Sequence, residues 1–133
     1  MNAFLVDLEN KPGAIATVAE ALASKGVNIT GVAGATCGDS GRAAITTTDP
    51  TATRQALQTI NASFKELEIT EASLANEPGS LAKAARRLAS AGVNIEAIFP
   101  TGMTGHDVQV AFVTDNATKA RELLASTAAG TYR

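Results

Sequence analysis

The chain begins with an alternating pattern of apolar and polar residues and then changes to helical spacing. Residues 3–9 are apolar at every second position (Phe4, Val6, Leu8), and this predicts a strand. The apolar residues that follow are three or four positions apart, which predicts an amphipathic helix with Ile15, Val18, Ala19 and Leu22 on its buried face.

Proline and glycine residues mark the ends of this helix and the start of the next one. Pro12 suits the first helical turn, where a missing N–H costs nothing, and Gly26 suits the position after the last turn. Residues 27–36 and 43–48 are extended segments joined by a glycine-rich turn. Asp49 followed by Pro50 predicts a second helix that is capped by the Asp49 carboxylate.

Residues 63–69 form a fourth extended segment that continues without a linker into a further strand. Its apolar side chains change from odd to even positions between Ile69 and Ala72. Such a change predicts a bulge, or a strand that passes from one sheet environment to another.

The whole pattern then repeats. Asn10-Lys11-Pro12-Gly13 recurs as Asn76-Glu77-Pro78-Gly79, and Gly26-Val27-Asn28-Ile29 recurs as Gly92-Val93-Asn94-Ile95, at a constant offset (79 − 13 = 66) without any gap. A fixed period of half the chain indicates a duplicated domain. We therefore expect two domains, residues 1–66 and residues 67–133.

The second copy repeats the elements of the first. We expect a helix over 79–91, strands over 93–99 and 108–114, a helix over 115–126 that Asp115 caps, and a last strand within 128–133. Two βαββαβ units predict an α+β fold, in which each unit is a ferredoxin-like antiparallel sheet with its helices on one face.

Composition excludes several classes of function. A formal net charge of −2 offers no positive field for nucleic acid. Cys37 is the only cysteine and His106 the only histidine, so we expect no metal site, no cofactor and no catalytic constellation, and hence not an enzyme. The start of the chain lacks a signal-peptide pattern and no apolar run is long enough to span a membrane, so we expect a cytoplasmic protein.

The repeated motifs resemble a known family. Asn-x-Pro-Gly before a helix and Gly-Val-Asn-Ile after it, both present twice, closely resemble the ACT domain, a small regulatory module that binds amino acids. The resemblance implies that the ligand lies between two ACT units, against the helix-opening loop of one and the early second strand of its neighbour. The ligand-binding residues would then be Asn10, Pro12, Gly13, Asn28 and Ile29 in copy one, and Asn76, Pro78, Gly79, Asn94 and Ile95 in copy two.

The same residues favour this chemistry on physical grounds. The start of a helix presents N–H groups and partial positive charge to a carboxylate, glycine lets the ligand approach the backbone, and an asparagine amide can bond both an ammonium and a carboxylate. The sequence leaves open a purely structural role for the four asparagines. Asn10 and Asn76 would cap their helices, and Asn28 and Asn94 would complete the turns after the helices.

The sequence also leaves open whether both copies bind a ligand. Gly31 and Gly34 leave space in copy one, whereas Ala97 and Pro100 fill more of it in copy two.

The leading hypothesis is a tandem ACT protein, an expected homodimer, that binds a free amino acid between ACT units and signals through its assembly or its partner contacts. The alternative is a regulatory subunit that binds no ligand and docks on an amino-acid biosynthetic enzyme.

Overall fold

A computed structural model describes residues 1–125 and 131–132 of the chain. These residues form two compact units, one of residues 2–67 and one of residue 1 together with the chain from residue 68 onwards. Each unit contains an antiparallel sheet and two helices, and the two βαββαβ units predicted from the sequence are confirmed.

The first unit contains three complete strands, two helices and the beginning of a fourth strand. Its elements are β1 (Asn2–Glu9), α1 (Ala14–Ser24), β2 (Ile29–Cys37), β3 (Ser40–Thr47), α2 (Pro50–Thr59) and the start of β4 (Phe64–Ala75). Strand β3 pairs with β1 on one side and with β2 on the other, both antiparallel, so β2 lies at one edge. The amide of Asp7 donates to the carbonyl of Ser63 at 2.9 Å and ties β1 to the segment that opens β4.

The second unit repeats this arrangement. It contains the later residues of β4, α3 (Ser80–Ser90), β5 (Ile95–Thr104), β6 (Asp107–Thr114), α4 (Ala117–Leu124) and β7 (Thr131–Tyr132). Strand β6 pairs antiparallel with β4 and with β5, which has register shifts at Ile95–Ala97 and Pro100–Gly102. Strand β7 pairs with β4 in parallel, so the last strand departs from the antiparallel pattern of the other strands.

Strand β4 is continuous over 12 residues. Ile69 is buried at an odd position, whereas Ala72 and Leu74 are buried at even positions. The change of side predicted from the sequence is therefore confirmed, and it lies just after the boundary of the compact units, which falls between residues 67 and 68.

Each unit has its own hydrophobic core between its sheet and its helices. The first core is built around Phe4, Val6, Val18, Leu22, Ile45 and Leu57. The second core is built around Leu74, Ala84, Leu88, Val110, Phe112 and Leu124.

The prediction that Ile15 is buried is wrong. Its side chain is 48% exposed, and its counterpart Leu81 is 51% exposed. The buried face of α3 follows a four-residue spacing through Ser80, Ala84 and Leu88, so the next residue after Ser80 lies on the flank of the helix.

The predicted starts of the first helices are also wrong. Helix α1 begins at Ala14 and α3 at Ser80, each after a glycine with a left-handed backbone, Gly13 with φ 89° and Gly79 with φ 92°. Pro12 therefore lies in the turn before the helix and not in its first turn. The C-terminal prediction is confirmed, because Gly26 has φ 69° directly after the last residues of α1.

The two copies cap their second helices differently. The Asp49 carboxylate accepts a hydrogen bond from the Ala52 amide at 3.0 Å, as predicted. In the second unit the cap is Asn116, which accepts from the Lys119 amide at 3.1 Å, so the prediction for Asp115 is wrong. Asn116 is itself a strong cap and is the structural equivalent of Asp49, because β5 is one residue longer than β2 and the offset between the copies is 67 beyond it.

Glu66 connects three elements of the first unit. It accepts a hydrogen bond from Asn2 Nδ2 at 2.6 Å, and both of its oxygens accept from Arg54, at 2.8 and 2.9 Å. The hydrogen bond from Asn2 and then the Arg54 guanidinium hold the pKa of Glu66 below its usual range. Because the pKa of Glu66 is lower in the folded state than in the unfolded state, these bonds stabilise the fold fully at pH values above the unfolded-state pKa. This stability is lost as the pH falls through the folded-state pKa.

We therefore expect Glu66→Gln to lower the free energy of unfolding at neutral pH and to change it little at pH values below the folded-state pKa of Glu66. Urea denaturation at several pH values measures this, and Glu71→Gln, at an exposed position of β4, is the matched control. An equal loss of stability at every pH would show that the charge of Glu66 is not what stabilises the unit.

Candidate functional site

The loops that open α1 and α3 share one backbone geometry. In both, the left-handed glycine accepts the first helical hydrogen bond, from Thr17 to Gly13 and from Lys83 to Gly79, each at 3.0 Å. The first amide of each helix donates to a carbonyl of its own loop, Ala14 to Lys11 and Ser80 to Glu77, each at 3.4 Å. Within the described residues neither helix has a side-chain cap, so the amides that follow keep their hydrogen-bonding capacity and partial positive charge for another acceptor.

The asparagines of these loops do not cap the helices, so this structural alternative is wrong. Asn10 donates from Nδ2 to the Gly38 carbonyl at 2.8 Å and from its backbone to the Asp39 carbonyl at 3.0 Å. It fastens its loop to the turn between β2 and β3. Asn76 makes the corresponding backbone bond, to the His106 carbonyl at 3.2 Å.

The backbones of Asn28 and Asn94 complete the turns after the helices. The Asn28 amide donates to Thr48 Oγ1 at 3.2 Å, and the Asn94 amide donates to the Asp115 carboxylate at 2.9 Å. Their carbonyls accept from the Thr48 and Asp115 amides. These bonds use only the backbone atoms of the two asparagines, and both asparagines are exposed. Their side-chain amides therefore lie at the surface.

The two asparagines of one unit lie at opposite ends of the same helix. Asn76 precedes α3 and Asn94 follows it, and α3 has 11 residues. A helix of this length spans about 16 Å at 1.5 Å per residue. A ligand as small as an amino acid cannot contact both asparagines of one unit. The same holds for Asn10 and Asn28 around α1.

A cleft of about 360 Å³ opens beside the start of α3 in the second unit. Asn76, Glu77 and Ser80 contribute its polar edge. The rest of the lining is apolar and comes from β4, α3, β5 and β6: Leu74, Ala75, Leu81, Ile98, Phe99, Pro100, Val108 and Val110. Pro100 lines this cleft and does not fill it.

The predicted site residues are distributed over several places. Asn76 lines the cleft, while Pro78 and Gly79 form the exposed turn before α3. Asn94 and Ile95 line a separate open groove of about 910 Å³ along α3, together with Val93 and Arg86. In the first unit Asn10, Pro12, Gly13 and Asn28 are exposed and Ile29 is half-buried.

Sequence reasoning missed Ser80. Its side chain is 4% exposed, and within the described part of the chain its Oγ has no hydrogen-bond partner. A buried hydroxyl without a partner is costly and is uncommon in folded proteins. Ser80 is not one of the residues that the two copies share, because its counterpart is Ala14. The only indication in the sequence was a serine among the first residues of a helix.

The corresponding region of the first unit has different chemistry. Lys11 stands in place of Glu77 and forms an ion pair with Glu9 at 2.9 Å, and its hydrogen bond and charge lower the pKa of Glu9. Gly41 stands in place of Val108, and Arg42 beside it, in place of Gln109, donates from Nε to Asp7 at 3.0 Å. A groove of about 580 Å³ lies beside Arg42, between β1 and the β2–β3 hairpin.

No three His, Cys, Asp or Glu side chains among the described residues are grouped so that they could hold a metal ion. No helix among these residues has the length and apolar character needed to cross a membrane.

We expect Ser80→Ala to raise the stability of the ligand-free protein by about 1 kcal/mol, because it removes a buried polar atom that has no partner. Thermal or urea denaturation measures the change. Ser90→Ala, at an exposed position of the same helix, is the control and should change stability by less than about 0.5 kcal/mol. A loss of stability in Ser80→Ala would mean that the hydroxyl has a partner in solution.

Comparisons with known proteins identify the fold. The crystal structure of protein BT0572 from Bacteroides thetaiotaomicron superposes with a TM-score of 0.78 and 28% identity, over 92% of this chain and 85% of that one. The ligand-free regulatory subunit of aspartate kinase from Thermus thermophilus superposes with a TM-score of 0.62 and 23% identity, over 92% and 87%. No curated protein sequence matches the chain. A family model described as an ACT domain pair matches residues 1–129.

Proposed function

The chain belongs to the ACT domain pair family, and from this premise we propose that it is a regulatory protein that binds a free amino acid at a helix-opening loop. The observation that carries the proposal is the cleft beside the uncapped start of α3. It combines helical amides that no side chain of the described residues caps, suited to a carboxylate, with Asn76 and Glu77 at the rim, whose oxygens can accept from an ammonium.

A second copy of the chain completes the site in this proposal. Asn76 and Asn94 of one unit are separated by the length of α3, so both can contact one ligand only if they come from different units. An edge strand supports such pairing, because β5 pairs with β6 alone among the described strands. Ile98 on β5 and Leu81 on α3 are exposed apolar residues, and their counterparts Val32 and Ile15 are exposed as well. A twofold homodimer is the commonest way to bury such a surface.

Ligand binding at an interface between chains gives a route to regulation. A ligand that contacts both chains binds the associated state more tightly than the separated one and therefore shifts the equilibrium between them. An enzyme that docks on the dimer would respond to the shift. A regulatory subunit of aspartate kinase shares this fold and provides a precedent for such a partner.

We expect at least one of the twenty amino acids to raise the melting temperature of the protein in a thermal-shift panel. A ligand at a hundred times its Kd adds about 2.7 kcal/mol of stability. The D-enantiomer of the responding amino acid is the matched control and should have little effect. If no amino acid gives a response, the alternative is favoured, in which the chain docks on a biosynthetic enzyme without binding a ligand.

A complementation experiment tests the shared site. We expect Asn76→Ala and Asn94→Ala each to weaken amino-acid binding by roughly ten- to a hundredfold, since each removes a hydrogen bond to a charged group of the ligand. When the two variants are mixed and allowed to exchange subunits, each mixed dimer contains one site with both asparagines intact. Calorimetry should then recover tight binding at half the sites of the mixed dimers. If mixing recovers no tight binding, the two asparagines do not meet across a dimer.

A further inference from the structure

We propose that the second unit binds an amino acid with a branched aliphatic side chain, of the size of valine, isoleucine or leucine, and that the first unit does not bind it. This inference rests on the proposed function and specifies its ligand. Three features of the second unit carry it: an apolar wall, a buried hydroxyl without a partner, and a carboxylate at the rim.

The apolar wall determines which ligand side chains fit. Leu74 and Phe99 are buried, and with Val108 and Val110 they line the cleft from three different strands. The side chains of these residues offer no hydrogen bond. A polar or charged ligand side chain placed against them would lose its hydration without compensation. At about 360 Å³ the cleft is near the lower limit of small-molecule sites, which span about 300–1,000 Å³. This size favours an aliphatic side chain over a large aromatic one.

The polar edge of the cleft matches the charged groups that every free amino acid carries. Ser80 is buried at the start of α3, where its hydroxyl and the helical amides that follow it can donate to an α-carboxylate. A carboxylate accepting from Ser80 Oγ would supply the partner that this buried atom lacks. Glu77 and the Asn76 side-chain oxygen lie at the same cleft and can accept from the α-ammonium.

The first unit keeps the backbone of the loop and lacks all three features. Ala14 replaces Ser80, so there is no hydroxyl at the start of α1. Lys11 replaces Glu77 and brings a positive charge to the position where an ammonium would bind. Gly41, which pairs opposite Leu8, stands where Val108 pairs opposite Leu74 in the second unit, so this part of the apolar wall has no side chain in the first unit. The repeated Asn-x-Pro-Gly motif is thus common to both units, but the complete set of ligand contacts occurs only in the second.

Isothermal calorimetry on the full chain tests this inference with seven ligands. We expect saturable binding of L-valine, L-isoleucine or L-leucine with one ligand per chain. Binding of L-serine, L-aspartate, L-lysine and L-phenylalanine should be at least tenfold weaker, a difference of about 1.4 kcal/mol.

Variants locate the site in one unit. Ser80→Ala should weaken binding of the aliphatic amino acid about tenfold while the protein remains folded by circular dichroism. Glu77→Lys, which copies the first unit into the second, should weaken binding at least tenfold. Its matched control is Lys11→Glu, the opposite exchange in the first unit, which should leave both the affinity and the stoichiometry unchanged. All three residues lie at or before the start of a helix, and Lys11 and Glu77 are exposed.

The outcomes separate this inference from the proposed function. Preferred binding of a polar, charged or aromatic amino acid, two ligands per chain, or weaker binding in Lys11→Glu would overturn the inference and leave amino-acid binding standing. Undiminished binding in both Ser80→Ala and Glu77→Lys would overturn it as well, because the site would then lie elsewhere. The absence of binding by all twenty amino acids would overturn the proposed function and this inference together.

Discussion

The left-handed glycine before the first helix of each unit is the constraint on which the candidate site depends. Gly13 and Gly79 turn the chain from a strand into a helix with φ near 90°, a conformation that is strained for residues with a side chain. Open space surrounds both glycines, so the requirement comes from the backbone and not from crowding. Because a glycine at this position has no side chain to cap the helix, the amides that follow the first one in the helix stay available to a ligand.

The two units keep this backbone constraint and differ in the chemistry around it. The glycines and prolines of the helix-opening loops recur at an offset of 66, and α1 and α3 begin at the same point of the repeat. Beyond β5 the core residues recur at an offset of 67, as with Leu57 and Leu124. Two residues that line the cleft of the second unit are exchanged in the first for residues of different charge or polarity, Glu77 for Lys11 and Ser80 for Ala14. The duplication therefore supplies two similar frames and one cleft that combines an apolar wall with a buried hydroxyl.

The sequence predicted the order of the elements, because the constant offset and the alternating apolar positions are properties of the chain itself. It predicted the starts of α1 and α3 poorly. Proline favours the first helical turn on average, but a left-handed glycine directly after it moves the start beyond Pro12 and Pro78. It also assigned the cap of α4 to Asp115, because the overlay contained no gap, whereas the additional residue in β5 makes Asn116 the equivalent of Asp49 and Asp115 the equivalent of Thr48.

The candidate site was predictable to a smaller extent. The helix-opening loops followed from the motif, and Asn76 does line the cleft. The buried state of Ser80 depends on how α3 rests on the sheet, and the apolar wall depends on the pairing of β4, β5 and β6. Both are tertiary properties, so comparing the copies residue by residue could not reveal them. The separation of Asn76 from Asn94 was implicit in the helix length.

The joining of two similar halves in one chain has a consequence for how such a protein evolves. In an assembly of identical single units, one mutation alters every site at once. Joining two copies in one chain removes this coupling, because a mutation in one half leaves the other half as it was. The halves here differ by substitutions and by one additional residue in β5. Natural selection can therefore act on the loop chemistry of one half while the other half keeps its own.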